Sequence, residues 1–168
     1  PTIERRPMTG ARSGHGMNGG QMTTFQIVFD GGSKGNPGKG YGSYKIFQDG
    51  TEIVEQRLSF DHIGDAITNN QAEYMTLIHA LERLAIDRSG SLKDTRVEVM
   101  GDSLLVINQV GGSWKIKNEG LRSLRQRARA LIDAFGEHSL KWHDRSNSVE
   151  FWATSAVPRI RSQTPAPQ

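Results

Sequence analysis

Apolar and polar residues alternate from Phe25 to Asp30, with Phe25, Ile27 and Phe29 on one face and Gln26, Val28 and Asp30 on the other. This period of two predicts a strand that ends on a carboxylate. A glycine-rich loop, Gly31-Gly32-Ser33-Lys34-Gly35-Asn36-Pro37-Gly38, follows it. Tyr41 to Phe47 and Thr51 to Phe60 are two further extended runs, and the Asp49-Gly50 dipeptide between them is a hairpin signal. Thr68-Asn69-Asn70 supplies helix-capping oxygens, and Leu77, Leu81, Leu84 and Ala85 follow at helical spacing, predicting a helix from about Asn70 to Asp87. One turn before Leu77 the same stripe carries Glu73, a carboxylate that burial would penalise unless a cation joined it. Arg96 to Gly101 alternates again and ends in Asp102-Ser103, ahead of the helical run Leu104-Leu105-Val106-Ile107. Gly111-Gly112-Ser113 breaks the chain. Leu121, Leu124, Ala128 and Leu131 then mark a helix with Arg122, Arg125, Arg127 and Arg129 toward solvent. Ser139 to Asp144 reads as a strand, and Val149, Trp152, Ala153 and Ala156 as a closing helix.

The order of elements predicts an α/β fold, a mixed sheet with helical crossovers. Residues 1–22 and 158–168 lack an apolar period and are expected to be a disordered lead and tail around one folded domain, 23–157. A chain of 168 residues without cysteine excludes disulfides, thiol nucleophiles and thiolate metal sites. No apolar run approaches the roughly 20 residues that cross a bilayer. The expectation is a soluble, cytoplasmic protein with no membrane association and no obligate protein partner. A net charge of +3 is a mild basic excess that suits a polyanionic partner, with Lys34, Lys39 and Lys45 around the glycine loop and Lys115 and Lys117 around Trp114.

Two strand-end aspartates and a helix-borne glutamate could converge at the carboxyl edge of the sheet, where open α/β sheets place their sites. Hard oxygen donors without Cys or His suit Mg2+ or Mn2+ and the chemistry of phosphoryl groups. Aspartates at strand ends also serve as turn formers and helix caps, and periodicity leaves both readings open.

Three blocks go further. Phe29-Asp30-Gly31-Gly32-Ser33-Lys34-Gly35-Asn36-Pro37-Gly38, Thr68-Asn69-Asn70-Gln71-Ala72-Glu73-Tyr74 and Gly101-Asp102-Ser103-Leu104-Leu105-Val106 resemble, in order, the signature blocks of type 1 ribonuclease H. The resemblance implies a ribonuclease H-like fold with a five-stranded mixed sheet, three antiparallel strands followed by parallel ones. It implies an endonuclease that hydrolyses the RNA strand of RNA–DNA hybrids with two divalent metals, Mg2+ or alternatively Mn2+, leaving 5′-phosphate and 3′-hydroxyl ends. Asp30, Glu73 and Asp102 match the family's metal-binding carboxylates. Gly32, Ser33, Asn36, Asn69, Asn70 and Gln71 fall where the family contacts the hybrid, and Thr68 where it holds a DNA phosphate. Helix capping and turn formation are the competing roles for the asparagines.

The family's last block resembles Arg-x-x-Asn-x-x-Ala-Asp-x-Leu-Ala, and here the chain departs. Arg145-Ser146-Asn147-Ser148-Val149-Glu150-Phe151-Trp152-Ala153 puts Glu150 at the aspartate position when the helical stripe sets the register. Setting the register on Asn147 puts Phe151 there and leaves Asn147 as the polar substitute. The stripe favours Glu150. His138, His143 and Asp144 are nearby titratable groups in or before the last strand. Trp114, between lysines, could stack on a sugar or anchor its loop, in a variant that resembles the compact members without a basic protrusion. Two rival readings accompany the nuclease: a hybrid-binding module with little or no cleavage, and another nuclease on this fold acting on DNA junctions or double-stranded RNA.

Overall fold

The computed structural model describes residues 22–147 and Trp152. Residues 1–21 of the lead, the tail, and the closing helix apart from Trp152, Glu150 and Phe151 included, lie outside the described residues. Five strands form one sheet in the order β3-β2-β1-β4-β5: β1 Thr23–Lys34, β2 Lys39–Gln48, β3 Thr51–Ser59, β4 Thr95–Gly101 and β5 Glu137–Trp142. β2 runs antiparallel to both β1 and β3, whereas β4 is parallel to both β1 and β5. Three helices follow the sequence expectation closely: α1 Asn69–Asp87, α2 Leu104–Gly111 and α3 Glu119–Asp133.

Asp49 and Gly50 both take positive φ, 50° and 87°, and join β2 to β3 through a two-residue turn between Gln48 and Thr51. That is the twist-matched hairpin turn that the Asp-Gly pair favours. The main core lies between the sheet and α1, where Phe25, Ile27 and Phe29 of β1 meet Leu77, Leu81 and Leu84. α3 adds Leu121, Ala128 and Ile132 to this cluster. The other face of the sheet carries a smaller cluster, Val28, Phe47 and Met100.

Two boundaries and one helix face differ from the sequence reading. β1 does not stop at Asp30 but continues through Gly31, Gly32, Ser33 and Lys34, paired with β2 as far as Lys39. The reason is steric: a Cβ on Gly31 would stand 2.8 Å from backbone atoms of Ala72 and Glu73. The glycines thin the strand so that the first turn of α1 can lie directly on it. β5 ends at Trp142, two residues earlier than expected, so His143 lies beyond the strand. Finally, Arg125 and Arg129 do not simply face solvent. Arg125 Nε donates to Gln109 O at 3.1 Å and Arg129 to Val110 O at 3.0 Å, satisfying carbonyls at the C-terminal end of α2.

Candidate active site

β1 and β4 are adjacent and parallel, with Phe29 opposite Gly101. The next residue on each chain is an aspartate, so Asp30 and Asp102 emerge side by side at one edge of the sheet. After β1 the chain turns toward β2 on one side, and β4 leads to β5 on the other, which makes this edge a topological switch point. Gly31 completes the arrangement by letting α1 bring Glu73 against the same edge.

The electrostatics match this convergence. Burial is the largest cause that raises the Glu73 carboxyl to a pKa of about 7, and the negative charges of Asp102 and Asp30 add to it. A hydrogen bond from Ser103 and the positive charge of Arg145 oppose the rise. Asp30 is likewise held above its ordinary value, first by burial and then by Asp102. Glu73 Oε2 is buried with no hydrogen-bond partner. Such an atom carries an unmet demand for a donor or a cation. Among the described residues no three acidic or imidazole groups form a ready-made cation cage. The donor set nevertheless fits a hard divalent cation: oxygen-only, mutually repelling, and incomplete at Glu73 Oε2.

Two of the residues that support these carboxylates, Trp142 and Ser103, had no role assigned from the sequence. Trp142 Nε1 donates to the Asp102 carbonyl at 3.1 Å, and the His143 backbone N–H to Gly101 O at 3.0 Å, so the end of β5 holds the end of β4. Ser103 caps α2 by accepting from Val106 N–H at 3.2 Å. Its position directly after a strand-end aspartate was the available signal. Arg145 Nε lies 3.6 Å from Asp102 Oδ2 with its side chain 86% exposed. His143 is buried, and its positive form would lower the pKa of Asp30, which places it by the site. Asp144 does not join the carboxylates. It accepts from the Asn147 N–H at 3.2 Å and from the Ser146 hydroxyl, capping the helical turn at Arg145 to Asn147. Those hydrogen bonds hold its pKa below the ordinary value, that of Ser146 foremost. Asn147 is buried.

On the other side of Asp30, the glycine loop and the start of α1 are laced together. Gly38 and Ile67 exchange backbone hydrogen bonds of 2.9 and 2.8 Å. Asn69 Oδ1 accepts from Ser33 N–H at 2.8 Å, and Asn36 Oδ1 accepts from Asn69 N–H at 3.0 Å. Both asparagines thus spend their carbonyl oxygens on backbone, which fixes the orientation of their side-chain amide donors. Thr68 and Gln71 form a reciprocal capping box, at 3.1 and 3.0 Å. Gly32 is buried beneath the Tyr41 ring. Asn70 lies farther along, in a groove of about 590 Å³ that it shares with Trp114, Lys115, Lys117 and Asn118. The Trp114 loop is tied by its own N–H and that of Ser113 to Asn108 O.

A mixed five-stranded sheet with this strand order, and acidic residues gathered at its switch point, defines the class of α/β folds to which the ribonucleases H belong. A family model described as "Reverse transcriptase-like" matches residues 52–153. A "Ribonuclease HI" of Halobacterium salinarum is 40% identical over 123 residues, 73% of this chain and 56% of that protein. A bifunctional protein of Mycobacterium tuberculosis is 38% identical over 124 residues, 73% of this chain and 32% of that protein. The structure of LC11-RNase H1 in complex with an RNA/DNA hybrid superposes with a TM-score of 0.67 at 29% identity, covering 75% of this chain and 89% of that one. The chain belongs to the ribonuclease H family. It spans about half the length of the archaeal relative and about a third of the mycobacterial one. No described helix is long and apolar enough to cross a membrane.

Proposed function

We propose that the protein is an endoribonuclease that cleaves the RNA strand of RNA–DNA hybrids and leaves 5′-phosphate and 3′-hydroxyl ends. The observation that carries this reading is the Glu73 carboxyl, driven to a pKa of about 7 and left with a buried oxygen unpartnered among acidic neighbours. A divalent cation there would relieve that strain, and Mg2+ or Mn2+ held by these carboxylates would supply Lewis-acid activation of water and neutralise charge on the leaving oxygen. Asp30, Glu73 and Asp102 would hold two such ions, with Glu150 or Asn147 as the fourth donor. The support for hybrid recognition is the LC11 complex together with the orientation of Asn36 and Asn69. Their side-chain amides are pre-aimed donors for acceptors in a minor groove, including the 2′-hydroxyl that separates RNA from DNA. Asn70, Trp114, Lys115 and Lys117 line a path suited to the second strand's phosphates and sugars.

The test is an end-labelled hybrid incubated with protein and Mg2+ or Mn2+, beside double-stranded DNA, double-stranded RNA and a DNA junction. Cleavage confined to the RNA strand of the hybrid, with 3′-hydroxyl ends, is expected. Hybrid binding without cleavage at any metal concentration would instead make the chain a binding module, and cleavage of another substrate a different nuclease.

A further inference from the structure

Lys45 is only 3% exposed, on the sheet face that carries Val28 and Asp30 rather than in the main core. Its ammonium lies 2.6 Å from Glu52 Oε1, 5.5 Å from the centre of the Trp152 ring and 3.4 Å from the Trp152 carbonyl. The Glu52 partner is delivered by an irregularity in the sheet. Ile46 pairs with Val54, but Phe47 pairs with Glu52, so Ile53 is an extra residue and is 49% exposed. In a regular strand Glu52 would share the core-facing side of Val54; the bulge turns it to the opposite face, where Lys45 stands. Burying an ion pair adds little net stability, because desolvation offsets the attraction. What such a pair can fix is register.

The register at stake is that of the C-terminal segment. At one end it is held by the Asp144 cap and by Arg145 beside Asp102. At the other it is held by Lys45 through Trp152. Both candidates for the fourth metal ligand, Asn147 and Glu150, fall between these anchors in the sequence. We propose that Lys45 is a positioning residue for the active site: its ammonium, set by the bulge-turned Glu52, docks Trp152 and so holds the segment that carries the fourth ligand. This rests on the function proposed above, but its test has a readout that does not.

The test compares Lys45→Met, Lys45→Arg and Glu52→Gln with the parent. In protein alone, Trp152 emission is isolated by difference against the matching Trp152→Phe protein, and Mg2+ affinity is read by calorimetry. Lys45→Met is expected to change the Trp152 emission, to weaken Mg2+ binding and to lower kcat about 10-fold, the low end of effects seen when support of metal ligands is removed. The hybrid KM should stay within about two-fold, since Asn36, Asn69 and Trp114 are untouched. Lys45→Arg, which keeps the charge over the ring, should recover most of the loss, and Glu52→Gln should fall between. Trp152 emission and Mg2+ affinity both matching the parent in Lys45→Met would overturn the proposal, as would an altered emission with kcat and Mg2+ affinity unchanged. Should Lys45→Met fail to fold, the same two readouts on Glu52→Gln decide. A parent that cleaves no hybrid would refute the proposed function, while emission and Mg2+ affinity would still decide the role of Lys45.

Discussion

Glu73 is the residue where folding and function conflict most openly. Its carboxyl is raised from 4.5 to about 7 by burial and by Asp102 and Asp30, so the folded protein holds a proton that the unfolded chain releases near pH 4.5. The stability linked to that proton is fully present below about pH 4.5 and is lost as pH rises through 7, a change of up to about 3 kcal/mol. Urea unfolding of metal-free protein at pH 5 and pH 8 should therefore show lower stability at pH 8. Glu73→Gln should flatten most of this difference, and added Mg2+ should restore stability at pH 8 in the parent only. Equal pH dependence in the parent and Glu73→Gln would mean that the carboxyl is not strained as described.

At the scale of elements, the site depends on how closely α1 approaches β1. Gly31→Ala would push a methyl to within 2.8 Å of the Ala72 and Glu73 backbone. The expected cost is about 1–3 kcal/mol, as for other overpacked contacts. Because the displaced turn carries Glu73, cleavage should fall by more than the loss of folded protein accounts for; denaturation and kcat on the same sample check this. The α1 cap offers a milder contrast. Thr68→Ala removes the acceptor for Gln71 N–H and should cost about 1 kcal/mol of stability. A change in hybrid KM beyond that would assign Thr68 a substrate contact in addition to its cap.

Across the whole molecule, the parts of the account visible in the chain were those set by period and by local turn chemistry. Alternation exposed β1 and β4 together with Asp30 and Asp102, the Leu77-Leu81-Leu84 stripe exposed α1 and the anomaly of Glu73, and Asp49-Gly50 exposed the hairpin. What stayed hidden depended on contacts between distant segments. Gly31 and Gly32 read as loop because glycine weakens a strand in isolation; the closeness of α1 to Gly31 and of the Tyr41 ring to Gly32 shows why strand positions here take glycine. Arg125 and Arg129 read as a solvated face because the orphan carbonyls they meet belong to another helix. The ion pair of Lys45 and Glu52 depends on a bulge that no residue pattern announces. The identity of the fourth ligand turns on register in the closing segment, where a stripe and a single asparagine disagree by one residue.

The central claim is that the acidic edge formed by Asp30, Glu73 and Asp102 is a metal-dependent cleavage site, and Asp30→Asn tests it most directly. The substitution keeps the side chain's size and relieves repulsion on Glu73, so the protein should fold at least as stably and still bind the hybrid. Its Mg2+-dependent cleavage of the RNA strand should drop by about 10³-fold or more, the scale expected when several kcal/mol of transition-state charge stabilisation is lost. A cleavage rate in Asp30→Asn equal to that of the parent, on the same hybrid and at the same Mg2+ concentration, would contradict the account.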